Sequence, residues 1–197
     1  MTPVILTPPV ARPVTAAEVG AFSGEFTLEG DGDQTALVEA LIDAVTDHAE
    51  RLVLRRAIMP QRRRVFMDAL DDVVNLEPYR VQTAGGSSSP PMVKALNEAG
   101  VATVVPASSY YTAPAIGLIA LRSGASWPRP ERAESSFCID YWAGWDVAPG
   151  AVKLMIQRAV VAQSSNRGAF APKDSAVLIP PAIASIGKAY ALGRFGL

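Results

Sequence analysis

The chain has 197 residues, of which 49% are hydrophobic and 19% are charged, and its 18 Lys and Arg nearly balance its 19 Asp and Glu. A chain of this length and apolar content can bury a substantial core, which excludes disorder of the whole chain. The net charge of −1 gives no overall attraction to nucleic acid or to an anionic membrane.

Residues that bind metals or form cross-links are scarce. Cys138 is the one cysteine and His48 the one histidine, so an intramolecular disulfide, a Cys-rich zinc site and a two-histidine metal site within one protomer are excluded. We predict no cofactor. The sequence contains neither an apolar run of about 18 residues nor a basic leader followed by an apolar run, which predicts no transmembrane helix and no signal peptide. A protein made and kept in the cytoplasm is expected.

Two helices are predicted near the N-terminus, after an extended Pro-rich segment. Thr15 and Glu18 have the spacing of a capping box, and the helix that they begin should end near Ser23 and Gly24. A helix of about six turns should follow, with Asp33 as its N-cap. Its apolar stripe consists of Leu37, Leu41, Val45, Ala49 and Leu52, widened by Val38 and Ile42.

Between residues 58 and 142 the pattern changes to short β-prone runs separated by turn residues. Strands are predicted over 65–67, 73–76, 79–81, 93–96, 101–105, 116–121 and 137–142. Residues 97–100 are predicted to connect a hairpin, and 85–91 to form a loop.

Helix returns after Asp146, with Pro149 in the first turn, and should end at residues 166–168 before a loop over 169–175. Its apolar face is predicted to consist of Val152, Met155, Ile156, Ala159 and Val160. A last short helix is predicted from Pro181. The order of a helix pair, a small antiparallel sheet lobe, a helix and a short terminal helix is typical of the α+β class. We expect one domain, 1–197, with a helical core over about 15–56 and 147–192 and a β-rich insert over about 58–142.

The sequence contains no recognisable arrangement of catalytic residues. The sequence contains no phosphate-binding loop with Gly-Lys-Ser/Thr and no Gly-x-Ser-x-Gly turn. Residues 31–33 begin like a calcium loop, but the required Gly and Glu are absent. His48 has no facing partner on its helix, and Cys138 lies in an apolar strand. A small-molecule enzyme using His48 or Asp140 is therefore unsupported, and we predict that the protein is not an enzyme.

Acidic residues form a line along the long helix. Glu39, Asp43 and Asp47 recur at every fourth position, on the side opposite the apolar stripe, and we call them the acidic stripe. Such a line is typical of a solvated helix face. It is also compatible with a surface that meets a basic neighbour, or that lines a path for an anion that must not bind.

Arginines are concentrated just after this helix. Six of the chain's fourteen arginines fall within fourteen positions, and we call them the arginine cluster: Arg51, Arg55, Arg56, Arg62, Arg63 and Arg64. The planar guanidinium suits carboxylates and phosphates alike. Contact with another protein, a solvated surface and nucleic-acid binding all remain open, although no aromatic residues are interleaved and the acidic stripe is adjacent.

The order of several motifs resembles a known family. The motifs are Leu6-Thr7-Pro8-Pro9, residues 13–18, the start of the long helix over 36–42, residues 57–61, 118–128 and 139–145, and the proline-started helix ending at Asn166-Arg167. Together they span nearly the whole chain and resemble the head–tail connector proteins of tailed phages. These are also called head-completion or adaptor proteins, and related ones occur in gene transfer agents. The chain departs from the family pattern at 164–165, where an aromatic residue is usual, and in a Gly/Ser/Pro insert at 84–91.

The resemblance implies a structural role. Connector proteins form a ring, usually of twelve copies, beneath the portal at the capsid vertex. They join the portal to the stopper or tail-terminator protein and surround the double-stranded DNA conduit without binding a specific sequence, and they contact no membrane. The implied location is the cytoplasm during assembly and then the neck of the particle. The alternative is a nucleic-acid-binding accessory protein that uses the arginines from Arg51 to Arg64.

The isolated protein is predicted to be a monomer or loose oligomer that forms its ring on the portal. Two contact surfaces are predicted for it. The subunit interface is predicted to join the acidic stripe Glu39, Asp43 and Asp47 to the arginines Arg55, Arg56, Arg62, Arg63 and Arg64. The portal-docking surface is predicted to comprise Ile183, Ile186, Tyr190, Arg194, Phe195 and Leu197. The alternative for the terminal helix is that its apolar edge packs on the protein's own core, because a helix of about three turns is unstable alone.

Overall fold

The computed structural model describes residues 3–24, 32–77, 79–80, 90–132, 134–165 and 179–191. The chain forms two compact units. Residues 1–9 and 60–144 form the sheet unit, and residues 10–59 and 145–197 form the helical unit. The described elements are helices and antiparallel sheets, which confirms the predicted α+β class.

Four α-helices make up the described part of the helical unit. They are α1 (Ala16–Ser23), α2 (Gly32–His48), α3 (Gly150–Ser165) and α4 (Pro181–Gly187). A π-helical turn over Ala49–Val53 continues α2, and a 3₁₀ turn over Lys188–Tyr190 continues α4. The predicted end of α3 at 166–168 and the loop over 169–175 lie outside the described residues.

The first helix has the predicted capping box. The Thr15 hydroxyl accepts a hydrogen bond from the Glu18 backbone N–H at 3.1 Å, and the Glu18 carboxylate accepts one from the Thr15 backbone N–H at 2.7 Å. The Thr15 backbone bond is the main reason why the pKa of Glu18 lies below its ordinary value. Gly24 ends the helix in the left-handed conformation.

The core of the helical unit confirms the predicted face of α3 and corrects that of α2. All five residues predicted for the α3 face are fully buried: Val152, Met155, Ile156, Ala159 and Val160. On α2 the buried residues are Val38, Ile42, Val45 and, in the following turn, Ala49. Leu37 and Leu52, predicted to be in the stripe, are exposed, because the buried face is turned by one residue. The helix begins at Gly32, so Asp33 lies in its first turn rather than at the N-cap.

Nine strands are described in the sheet unit. They are β1 (Val4–Thr7), β2 (Gln61–Met67), β3 (Val73–Asn75), β4 (Tyr79–Arg80), β5 (Met92–Leu96), β6 (Ala102–Val104), β7 (Tyr110–Ala113), β8 (Leu118–Leu121) and β9 (Phe137–Ala143). The predicted hairpin of β5 and β6 is confirmed, whereas β1 and β7 were not predicted.

The larger sheet is built around β9. Its strand order is β1-β2-β9-β5-β6, and β4 also pairs with β9. All described pairings are antiparallel, with β9 directly bonded to β2, β4 and β5. The second sheet has the order β3-β8-β7. In the order β1-β2-β9-β5-β6 of the larger sheet, β1 and β6 are the edge strands.

The two faces of the larger sheet differ in burial. Directly opposed residues of antiparallel strands share a face, and successive residues alternate between faces. One face carries the buried apolar residues Val65, Val93, Phe137 and Ile139. The other face carries Asp140, opposite Arg64 on β2 and Met92 on β5.

A tight turn before β8 depends on Gly117, which has a φ of 71°. Its N–H donates to the Pro114 carbonyl at 3.1 Å, and its own carbonyl accepts from the Leu76 N–H at 2.7 Å. A Cβ at this position would lie 2.3 Å from the Leu76 carbonyl oxygen. Backbone cannot move aside as a side chain can, so only glycine fits here.

We predict that Gly117→Ala destabilises the protein by about 3 kcal/mol or more, because left-handed strain and a backbone clash add together. The matched control is Gly100→Ala, where φ is also positive but no atom lies within 4 Å of the added Cβ. That variant should lose only about 1–2 kcal/mol. Urea unfolding of the two variants tests this, and equal losses would contradict the role given to the Gly117 contact.

Candidate functional site

A buried carboxylate lies at the centre of the larger sheet. The Asp140 side chain is only 1% exposed and accepts hydrogen bonds from three cations, which with it form the Asp140 cluster. Arg64 on β2 binds both carboxylate oxygens, at 2.5 and 2.8 Å, and Lys94 on β5 binds Oδ2 at 2.7 Å. Arg62 reaches the same oxygen at 3.3 Å. The cluster thus joins β2, β9 and β5.

The charges of the cluster keep Asp140 ionised. Burial alone raises the pKa of this carboxyl group, but the hydrogen bonds and charges of Arg64 and Lys94 outweigh it and leave the pKa below its ordinary value. The hydrogen bond to Asp140 likewise raises the pKa of Arg64. Three cations against one carboxylate give the cluster a formal charge of +2, and Arg62 is its most exposed member.

Arg63 points to the opposite face and has a different role. Its Nη1 lies 2.7 Å from Glu77 Oε1, which also accepts a hydrogen bond from the Tyr141 hydroxyl at 3.0 Å. All three side chains are buried, and burial is the main reason why the pKa of Tyr141 is raised. Arg63 was predicted to lie at a subunit interface together with Arg62 and Arg64. The structure instead places its guanidinium inside the sheet unit, so reversing its charge would break the fold.

The acidic stripe has basic partners within its own unit. Arg12 lies 2.7 Å from Asp43 and 3.2 Å from Glu39, and Arg51 lies 2.8 Å from Asp47. These pairs are exposed, so each contributes at most about 1 kcal/mol and can exchange partners. Three carboxylates against two guanidinium groups leave a formal charge of −1.

The arginine cluster is divided between the two units, with Arg51, Arg55 and Arg56 in the helical unit and Arg62, Arg63 and Arg64 in the sheet unit. In the helical unit, the guanidinium carbon of Arg56 lies 4.1 Å from the centroid of the Trp145 ring, which is a cation–π geometry. Arg55 is exposed and has a φ of 59°. The three consecutive arginines of β2 belong to the sheet unit and alternate between its faces.

The face of the sheet that carries the Asp140 cluster also carries exposed apolar residues. Directly opposed residues form lines that run across the strands. Val4 and Met92 lie on the line that contains Asp140, and Phe66 and Val104 lie on the line that contains Lys94. All four are exposed, and we call this surface the open face. The open face was not predicted from the sequence. The sequence feature that indicates it is a set of strands with apolar residues at successive positions, which places apolar side chains on both faces of the sheet.

The terminal helix packs on its own unit. Ile183, Ile186 and Tyr190 are partly buried against the helical core, and the Tyr190 ring meets the Trp145 ring edge-on at 5.9 Å. The apolar edge that was predicted to need the portal therefore has a surface within the chain. The other predicted docking residues, Arg194, Phe195 and Leu197, lie outside the described residues, and portal docking stays a prediction.

The described part of the chain contains no group of three or more His, Cys, Asp or Glu side chains that is placed to hold a metal ion. Cys138 is buried, which raises the pKa of its thiol and keeps it protonated. No helix in the same ranges is both long and apolar enough to cross a membrane.

We predict that Asp140→Asn costs about 1–3 kcal/mol at neutral pH, because three partly buried cations lose their counter-charge and the new amide NH2 faces them without an acceptor. The folded-state pKa is below the unfolded value of about 3.9, so the carboxylate stabilises the fold above that pH. This contribution is lost as the pH falls through the folded pKa.

Urea unfolding between neutral pH and the acid range checks this prediction. The wild-type midpoint should fall in acid more steeply than that of Asp140→Asn. Replacing Asp71, an exposed carboxylate on the loop before β3, by Asn is the matched control and should leave the profile unchanged. Parallel profiles for wild type and Asp140→Asn would contradict the stabilising role of the cluster.

Comparison with known proteins gives a likeness in structure alone. No protein-family model and no curated protein matches the chain. A chain in the neck of an empty gene transfer agent (GTA) particle, computed with C6 symmetry, superposes with a TM-score of 0.72 at 18% identity. A chain in the virion of a native GTA particle gives 0.69 at 18% identity, and one in the neck of a native GTA particle, computed with C12 symmetry, gives 0.62 at 20%.

These likenesses extend over the whole molecule. Each covers 98% of this chain and 97% of the other. The protein therefore shares its fold, over almost its entire length, with chains found in the neck and virion of GTA particles, as the connector-like order of its motifs predicted.

Proposed function

We propose that the protein is a structural component of the neck of a phage-like particle, where copies of it form a ring. The observation that carries this proposal is the coverage of the fold likeness: 98% of this chain matches 97% of a neck chain. The C6 and C12 symmetries of the neck structures support an assembly of repeated copies.

The position of the ring within the neck is proposed from the resemblance of the sequence motifs to connector proteins. The ring lies beneath the portal, joins it to the stopper or tail-terminator protein, and surrounds the DNA conduit. An isolated copy is a monomer or loose oligomer that joins its neighbours on the portal. Residues from the terminal helix onward, including 192–197, are proposed to contact the portal.

The alternative, a nucleic-acid-binding accessory protein, is less well supported. Phosphate binding needs guanidinium groups that are free to leave their present partners. Four members of the arginine cluster already bind a carboxylate of their own chain: Arg51, Arg62, Arg63 and Arg64. Exchanging these partners for DNA phosphates would cost most at Arg63, which is buried.

Deletion of the coding sequence in the producing cell tests the proposed function. We expect DNA-containing heads that lack attached tails, because the missing ring removes the joint between them. Complementation by an epitope-tagged copy should restore tailed particles and place a gold-labelled antibody at the neck. Normal tailed particles in the deletion strain, or label confined to the soluble fraction, would contradict the proposal.

A further inference from the structure

The open face is an exposed apolar surface that surrounds a charged centre. Four large apolar side chains are exposed there: Val4 by 50%, Phe66 by 39%, Met92 by 36% and Val104 by 52%. They lie on β1, β2, β5 and β6, so the apolar surface extends from one edge strand to the other. Because β9 lies between β2 and β5, the distance from β1 to β6 is four strand intervals of about 4.8 Å, or about 19 Å.

This pattern is unusual for a sheet face that ends in solvent. An antiparallel sheet with one wet face ordinarily alternates apolar and polar residues. Here the opposite face is already filled by Val65, Val93 and Ile139, yet the open face carries large exposed apolar side chains beside its cations. Exposed apolar side chains gathered on one face, next to polar groups, mark an interaction site.

The charge of the open face defines what can cover it. The Asp140 cluster contributes a formal +2, and its Arg64 guanidinium carbon lies 6.0 Å from the centroid of the exposed Phe66 ring. The apolar and cationic parts of the face therefore adjoin. A matching partner presents apolar side chains beside carboxylates.

The outer side of α2 has this composition. Leu37, Ala40 and Ala44 are exposed there, and the acidic stripe lies beside them on the same helix. From Leu37 to Ala44 the helix rises about 10.5 Å, and it rises about 22 Å as far as the exposed Leu52. This length is sufficient to cross the open face, and the small alanines allow a close approach of helix and sheet.

We infer that the open face of each copy receives helix α2 of the neighbouring copy. The two patches are unlike and belong to one chain, which gives the head-to-tail contact that closes a ring. The inference rests on the proposed ring function and names the surfaces that build it. Arg62 and Arg64 of the subunit interface predicted from the sequence belong to this contact, whereas the buried Arg63 does not.

Cysteine cross-linking in purified particles tests the inference. The chain's own Cys138 is buried, so a particle carrying Val104→Cys and Ala40→Cys presents two new thiols per copy. A short bis-maleimide should convert the double variant into a ladder of covalent oligomers. Particles with either single variant should give no ladder, because one cysteine of each unlike patch is needed for every link.

Charge substitution gives an independent readout. Val104→Asp should reduce the incorporation of the protein into necks by about tenfold or more, whereas Val104→Lys should be tolerated, because the proposed partner is acidic. Val73→Asp on β3, an edge strand of the second sheet, is the matched control and should incorporate normally. Unfolding curves of the purified variants identify any loss that is due to misfolding.

The outcomes separate the interface from the ring itself. Tailed particles that contain the double variant but give no ladder, together with normal incorporation of Val104→Asp, would overturn the interface and leave the neck function standing. A cross-link from Val104→Cys to a different neck protein would also overturn it. Absence of the wild-type protein from necks would overturn both.

Discussion

The interaction on which the sheet unit depends is the burial of the Asp140 carboxylate beneath Arg62, Arg64 and Lys94. A buried carboxylate without partners would be strongly unfavourable, so β2 and β5 must lie where their cations can reach it. A shift of one residue between β2 and β9 would turn the buried Val65 to the open face and bring Arg62 and Arg64 into the apolar face. The cluster therefore favours one strand register. It also leaves positive charge and the Phe66 ring at the surface of that same face.

Strand alternation gives the three consecutive arginines of β2 different roles. Arg63 is enclosed with Glu77 and Tyr141 and serves the interior, while Arg62 and Arg64 reach the open face. The proposed assembly surface thus lies on the outer side of the residues that hold the sheet together. In that proposal stability and assembly are linked, because a substitution at Asp140 changes the buried pairing and the exposed cations together.

The sequence allowed the prediction of elements whose signals are local, and it was insufficient where the signal is long-range. The α3 face and the Thr15 capping box depend on neighbouring residues, and both are confirmed. Strand β1 was missed because it forms only by pairing with β2, some 55 residues later, in a segment that reads as Pro-rich coil. Nor could the sequence show which face of β2 is buried, since the partner of Arg63 lies 14 positions away. An aspartate within the apolar strand 137–143 was the available sign of the Asp140 cluster.

We propose that copies of this fold form a ring in the neck of a particle, and an electron cryomicroscopy reconstruction of the neck of particles from the producing cell would show such a ring. We expect density for this fold, repeated about the particle axis with cyclic symmetry and with α2 of each copy on the open face of the next. Clear density for the portal and tail components with no repeated copy of this fold between them would contradict it.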